Sequence, residues 1–363
     1  MKSITFLLPG AGTNPIGGYK VVYEYANRLQ LDGFNVKIIY AASLFFKEQT
    51  IGLKIRSCMR YLYRLLFQNY TSKSWFKLET GITEIWVWSL DANNIPKTDI
   101  IVATSWETAE YLSSYPDKIV NRRLYLIQHY EIWKTNDENR LVETWKSSLE
   151  KIVIAPWLND IATKLGEHAK LIENGFDFDY FRFTTPLEIR NPYQLCMLYH
   201  STPWKGFEDG FSAIEKAREI YPQIELNLFG VYKKPSDLPN WVNYFQKPSR
   251  DELNRIYNES SIFVGASHLE GWGLTIGEAM QCGCAVVCTN NDGYLTMAIH
   301  NETALTSPVK VPEELTRNII LLIENKELRL RIASQGNIYI ENFTWEKSYK
   351  KLVALIADKS HIE

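Results

Sequence analysis

The feature that most constrains this chain is an alternation of short apolar runs with segments of helical period, repeated in two series. The run ITFLLP at residues 4–9 is followed by a glycine-rich loop. Val22, Tyr25, Ala26 and Leu29 then fall at the i, i+3, i+4, i+7 spacing of one helix face, and NVKIIYA resumes a strand. Further strands are expected at DIIVAT, RLYLIQ and KIVIAP. The periodicity breaks in FDFDYFRFTTPLEIRNPYQ, where two prolines and polar residues intervene. A second series follows: QLCMLYH, a helix from about Phe207, IELNLFG, a helix near Glu252, SIFVGAS, a helix from about Leu274, and AVVCT. This alternation predicts an α/β architecture with largely parallel sheets, in two units joined near residue 185.

Composition narrows the partners. The 363 residues suffice for about two domains. A hydrophobic share of 45% beside 23% charged residues excludes wholesale disorder. A net charge of -2 argues against nucleic-acid binding, which needs a broad basic face. Five cysteines, an odd number in a chain too large to need staples, point to a reducing cytoplasm. The opening MKSITFLLPGAGTN has too short an apolar run for a signal peptide, and no apolar stretch reaches the roughly 20 residues of a membrane span.

Residues 51–77 depart from this neutral balance. Lys54, Arg56, Arg60, Arg64, Lys73 and Lys77 stand there without an acid, and Leu53, Ile55, Met59, Leu62, Tyr63, Leu66 and Phe67 fall between them at helical spacing. A basic amphipathic helix can lie on an anionic membrane surface. The plainer alternative is a helix packed on its own domain with its basic face solvated.

The stretch ASHLEGWGLTIGEAMQCGCAVVCTN concentrates chemistry. SIFVGAS ends a strand, and LTIGEAMQCG reads as a short helix closed by Gly283. Gly271 and Gly273 allow close backbone approach, leaving the amides around Gly273, Leu274 and Thr275 at a helix N-terminus suited to phosphate oxygens. Glu270 and Glu278 flank them. Carboxylates beside a phosphate site repel the anion unless they serve another group, and the hydroxyl pairs of a sugar are such a group. Phosphate on the backbone with hydroxyls on the carboxylates describes a nucleotide-sugar site. The bland alternative is a local ion pair at Glu278 and a solvated Glu270.

In context, SHLEGWGLTIGEAMQCGCAVVCTN resembles the signature of the family-four retaining glycosyltransferases, whose fold is GT-B: two Rossmann-like domains facing across a cleft. PIGGYKVVYEYANRL, LIENGFDFDYFRF, YHSTPWKGFEDGFSAI and FTWEKSYKKL extend the resemblance over most of the chain. It implies an N-terminal acceptor-side domain at 1–184, a donor-binding domain at 185–344, and a terminal helix at about 345–360 packing back on the first. By the same resemblance Glu278 binds the donor ribose, Glu270 lies near the transferred sugar, and Lys205 neutralises the diphosphate. Gly17 and Gly18 place amides against the diphosphate or sugar, and His129 contacts the donor sugar. The implied reaction is metal-independent retaining hexosyl transfer, needing no cofactor, to a glycan or lipid-linked acceptor. QHYE and VATSWETAEYL look most like bacterial rhamnosyltransferases of the family, which with their mannosyl relatives assemble surface polysaccharides. The expected location is cytoplasmic, peripheral on the inner face of the plasma membrane.

The chain departs from the family at His200, where relatives carry an arginine five positions before the lysine. Neutral imidazole supplies neither a permanent charge nor a bidentate fork. Another basic residue, with Lys20 a candidate, compensates, or the diphosphate is held more weakly. GAGTNP is not a dinucleotide fingerprint, because Pro15 stands where a glycine is needed. Asp177 and Asp179 form a D-x-D, the metal motif of another glycosyltransferase fold, but sit in the NGFD segment and read as structural. The cysteines of CGCAVVC lack a second cluster for zinc. Two other functions remain open: a nucleotide-sugar-binding protein that has lost turnover, and a nucleotide-sugar epimerase of the same fold.

Overall fold

The computed structural model describes residues 2–45, 48–134 and 137–358. The chain forms two compact units, residues 1–173 with 349–363 and residues 174–348.

The first unit is built on β1 (Ser3–Leu8), β2 (Asn35–Ala41), β3 (Thr83–Val87), β4 (Thr98–Ala103), β5 (Val120–Ile127), β6 (Glu150–Val153) and β7 (Ala169–Leu171). Its helices are α1 (Gly17–Leu31), α2 (Ile51–Leu66), α3 (Trp106–Ser113), α4 (Glu138–Trp145) and α5 (Pro156–Lys164). The sheet order is β3-β2-β1-β4-β5-β6-β7, with every pairing parallel. In the centre Phe6 pairs with Ile38 on one side and Val102 on the other. Central strands of a parallel sheet are covered on both faces, so both side-chain sets are apolar and alternation disappears. Ile4, Leu7, Ile38, Ile39 and Ile101 are fully buried accordingly.

The second unit contains β8 (Gln194–Tyr199), β9 (Glu225–Gly230), β10 (Val242–Gln246), β11 (Ile262–Gly265), β12 (Ala285–Thr289) and β13 (Ala304–Ser307). Its helices are α6 (Phe207–Ile220), α7 (Arg250–Glu259), α8 (Leu274–Gln281), α9 (Asp292–Leu295), α10 (Pro312–Glu324) and α11 (Lys326–Ile340). The order β10-β9-β8-β11-β12-β13 is again wholly parallel. One core of Leu195, Ile214, Leu228, Ile262, Val287 and Ile319 fills its helix–sheet layers.

Residues 174–184 belong to the second unit, so the division lies earlier than the 184/185 boundary read from the proline-rich break. Local bonds explain the placement: Phe176 N donates to Phe343 O at 3.0 Å, and Asn258 Oδ1 accepts from Thr184 N at 2.7 Å. The last helix, α12 (Trp345–Ala357), begins in the second unit and belongs to the first from Tyr349 on. Within the first unit Arg122 fastens its end, donating to Leu355 O at 2.8 Å and Ile356 O at 3.1 Å while paired with Glu150.

Helix α2 does not bury its apolar face. Only Ser57 in it is buried, whereas Ile51, Ile55, Met59, Leu62 and Leu66 are 55–77% exposed. These five fall on one side at helical spacing, with Arg56 and Arg60 exposed next to it. The apolar side is therefore not the packed one, although α2 does rest on its own unit through Tyr61, which stacks on Trp86, as the plainer alternative expects. Arg64 differs from its neighbours: it donates to Asn69 O at 2.7 Å and lies over the Trp86 ring. Among the described residues no helix is long and apolar enough to cross a membrane.

Candidate functional site

In the second unit the strand order reverses direction between β8 and β11, the point at which open parallel sheets form a crevice beyond the carboxyl ends of their strands. Two loops meet there. The one leaving β8 makes a 3-10 turn over Pro203–Lys205 and ends at Gly206, with φ 64° and ψ 24°. A Cβ on Gly206 would lie 1.9 Å from the Ala266 carbonyl oxygen, so glycine serves both the left-handed backbone and the close approach. His268 N donates to Trp204 O at 2.8 Å, and His268 Nε2 meets Asp209 Oδ2 at 2.6 Å, tying the β11 loop to the start of α6.

This arrangement sets Lys205 Nζ 2.7 Å from Glu270 Oε1. Ser267 Oγ donates to the same oxygen at 2.8 Å. The Ser267 carbonyl accepts in turn from Thr289 Oγ1 and from Asn291 Nδ2, the latter at 2.9 Å. A cation, a carboxylate and a hydroxyl are thus held together, with side-chain exposures of 25% for Lys205 and 13% for Glu270.

Three residues beyond Glu270 stands Gly273, the N-cap of α8, at φ 96°. Gly273 makes no side-chain cap bond to this helix, and Leu274 and Thr275 in its first turn are half-buried. First-turn amides and the helix dipole favour an anion at such an end. The other end closes as expected at Gly283: Gly283 N bonds Met280 O at 3.0 Å and Cys284 N bonds Ala279 O at 2.9 Å, a Schellman motif. Glu278 lies one turn into α8 and is 6% exposed. Tyr257 Oη donates to its Oε2 at 3.3 Å. Burial, and then the Glu278 charge, push the Tyr257 hydroxyl up, so it stays protonated as a donor.

His200 follows β8 directly. Its Nδ1 accepts from Thr202 N at 3.1 Å, and its Nε2 meets Tyr232 Oη at 3.3 Å. Burial first, and then the nearby Lys205 charge, lower its pKa from the ordinary 6.5, while Glu270 acts the other way. The ring is therefore neutral at pH 7 and gives the crevice no second positive charge.

Gly17, Gly18 and His129 lie in the first unit. Gly17 and Gly18 open α1 behind Ile16, an N-cap without a side-chain bond. Gln128 Nε2 donates to Gly18 O at 3.1 Å, and a Cβ on Gly18 would sit 3.3 Å from that nitrogen. His129, just past β5, is edge-on to Trp133 and Trp157 at 4.1 and 5.3 Å between ring centroids. A Cβ on Gly12 would strike Tyr23 Oη at 2.3 Å, so packing within the unit itself requires a glycine there. Asp177 Oδ1 accepts from Asp179 N and Tyr180 N, an ordinary turn in which Asp179 is exposed. Cys196, Cys282, Cys284 and Cys288 are buried free thiols. Ser267, Asn291, Tyr232 and Tyr257 escaped the sequence reading.

Residues 185–339 match the family model "Glycosyl transferases group 1". An uncharacterized glycosyltransferase of Methanocaldococcus jannaschii is 29% identical over 176 residues, 45% of each chain. One of Haemophilus influenzae is 27% identical over 374 residues, 96% of this chain and 98% of its own. The solved structure of Anabaena HepE in complex with UDP and glucose superposes with a TM-score of 0.71 at 16% identity, over 98% of this chain and 100% of that one. The fold is GT-B, and the family match with these relatives supports a group 1 glycosyltransferase.

Proposed function

We propose that the chain transfers a hexosyl group from a nucleoside-diphosphate donor to a hydroxyl of a glycan or lipid-linked acceptor, with retention at the anomeric carbon and without a metal. The observation that carries this reading is the Lys205–Glu270–Ser267 cluster beside the start of α8. A diphosphate oxygen takes the α8 amides and the Lys205 ammonium, which offsets the charge that grows as the C1–O bond to phosphate breaks. The acceptor oxygen forms the new bond to C1 on the face the diphosphate leaves, and its proton passes to the departing phosphate oxygen. Glu278 takes the ribose hydroxyls, and Glu270 takes a hydroxyl of the transferred sugar once Lys205 turns to the diphosphate. The sequence resemblance assigns a donor-sugar contact to His129. HepE, solved with UDP and glucose, adds support for a nucleotide donor. A rhamnose- or mannose-type sugar and a place in bacterial surface-polysaccharide assembly rest on the sequence resemblance.

The exposed apolar side of α2, with Arg56 and Arg60 beside it, supports peripheral docking on the anionic cytoplasmic face of a membrane, where a lipid-linked acceptor is presented. Calorimetric titration with UDP-, GDP-, dTDP- and ADP-sugars, each with and without EDTA, tests the donor reading. Tight EDTA-insensitive binding of one donor, followed by transfer with retained anomeric configuration, is expected. Isomerisation of free donor would make the chain an epimerase; binding without transfer or donor hydrolysis would make it a binding protein.

A further inference from the structure

We infer that Tyr232, oriented by His200, is a donor-binding residue that gives a neutral hydrogen bond to the diphosphate where relatives use an arginine. The inference rests on the donor reading above and assigns to that site a residue the family resemblance does not supply.

Strand register brings the two side chains together. Tyr199 ends β8 opposite Gly230, the end of β9, so His200 and Tyr232 emerge side by side at the carboxyl edge of the sheet. Their rings meet edge-on at 4.9 Å between centroids. Lys205 lies five residues beyond His200 at the end of the same loop, and its charge acts on the imidazole.

The hydrogen-bond pattern fixes directions. A ring nitrogen that accepts from a backbone N–H carries no proton, so Nδ1 of His200 is the acceptor and the proton of the neutral ring sits on Nε2. Nε2–H then donates to Tyr232 Oη. With that lone pair engaged, the phenol hydrogen is turned away from the imidazole. Among the described residues it meets no acceptor, and Tyr232 is half-buried. The backbone carbonyl of the same residue accepts from Tyr244 Oη at 2.5 Å, which holds the loop after β9 in place. The relay Thr202 N–H, His200, Tyr232 O–H thus ends in one oriented donor at the crevice that holds Lys205.

Chemistry selects the ligand. A phenol is a single directional donor with no charge, and a phosphate oxygen bound by Lys205 still has lone pairs to fill. A neutral donor placed there avoids setting a second cation against Lys205.

The test uses the full chain and a panel of UDP, GDP, ADP and dTDP, taking forward whichever diphosphate the wild type binds, together with its parent nucleoside. Tyr232→Phe keeps the ring and removes the donor. It is expected to weaken the diphosphate about tenfold or more while leaving nucleoside affinity unchanged. His200→Asn, which keeps an acceptor for Thr202 but loses the Nε2 donor, is expected to weaken the diphosphate in the same sense. The double variant is expected to add little, because both act through one bond. In a His200→Arg background, Tyr232→Phe is expected to be nearly silent. Equal diphosphate affinity of wild type and Tyr232→Phe would overturn the inference and leave the donor reading intact. Equal losses for nucleoside and diphosphate would move Tyr232 to the base. A wild type that binds no diphosphate would overturn both readings.

Discussion

The Lys205 ammonium lies 2.7 Å from Glu270 Oε1, joining loops that leave the paired strands β8 and β11. The cation proposed for the diphosphate is therefore occupied by the carboxylate proposed for the sugar. On the proposed reading, donor binding would exchange one anion for another at Lys205 and release Glu270 to accept hydroxyl hydrogens. Lys205→Ala is expected to lower turnover about 10²–10³-fold, the usual effect of removing one such donor. Folding stability should fall by only about 1 kcal/mol or less, since the pair is partly exposed and Glu270 keeps Ser267. Steady-state kinetics beside urea unfolding separates the two; a variant that merely unfolds would make Lys205 structural.

Glu278 tests the ribose assignment. Glu278→Gln preserves an oxygen for the Tyr257 hydroxyl, so stability should change by about 1 kcal/mol or less. Affinity for a ribonucleoside diphosphate should fall about tenfold. Its 2′-deoxy analogue should lose much less. Calorimetry on the two ligands checks this, and an unchanged ratio of affinities would remove Glu278 from the ribose.

What the sequence made legible follows from burial. Strands buried on both faces, such as NVKIIYA and AVVCT, coincide with β2 and β12. The strands that escaped are β3, β7, β10 and β13, and these are the four sheet edges. An edge strand has fewer neighbours to bury its side chains, and β7 and β10 accordingly carry exposed polar positions that blur the apolar run. The site divides similarly. Gly273, Glu270 and Glu278 are contiguous in one loop and helix, so their type and spacing announced them. The Lys205–Glu270 pair spans 65 positions and the His200–Tyr232 pair spans 32, distances over which only the fold decides contact. A signal for Tyr232 did exist in LFGVY, as the residue two past the end of β9 beside the switch point.

The depressed pKa of His200 gives stability a defined pH dependence. Because burial and Lys205 favour the neutral ring in the native state, the unfolded chain binds its proton more readily. Its contribution is fully present above the ordinary value of 6.5 and is lost as the pH falls through the lowered native value. In His200→Asn this component disappears. Denaturant unfolding measured from pH 7.5 downward should show the wild type losing stability more steeply than the variant below about pH 6.5. Parallel curves would mean that the imidazole does not titrate in that window.

Gly206 carries the contact between the two site loops. An alanine there must adopt φ 64° and place its Cβ 1.9 Å from the Ala266 oxygen. Gly206→Ala is expected to cost at least about 2 kcal/mol and to move Lys205 off the crevice. Gly52→Ala, in α2 with nothing within 4 Å of its added Cβ, is the matched control and should be neutral or slightly stabilising. Thermal unfolding of both variants checks the contrast, and a Gly206→Ala protein as stable as wild type would show that the loops are free to separate.

Helix α2 exposes an apolar side with Arg56 and Arg60 beside it, the surface proposed to dock on a membrane. Arg56 and Arg60 are the charges to neutralise, because Arg64 is engaged with Asn69 O. Each basic side chain near an anionic surface contributes about 1 kcal/mol, so Arg56→Gln with Arg60→Gln should lower partitioning roughly thirtyfold. Ile55→Ser with Leu62→Ser removes apolar area from side chains that are 55% and 62% exposed. Folding should hardly change, since these groups are out of the core, while vesicle binding should fall at every salt concentration. Added salt should weaken the wild type and the serine variant alike and affect the glutamine variant less. Cosedimentation with phosphatidylglycerol-containing and purely zwitterionic vesicles reads all of these outcomes. Equal binding by wild type and both variants would show that the exposed side of α2 does not face lipid.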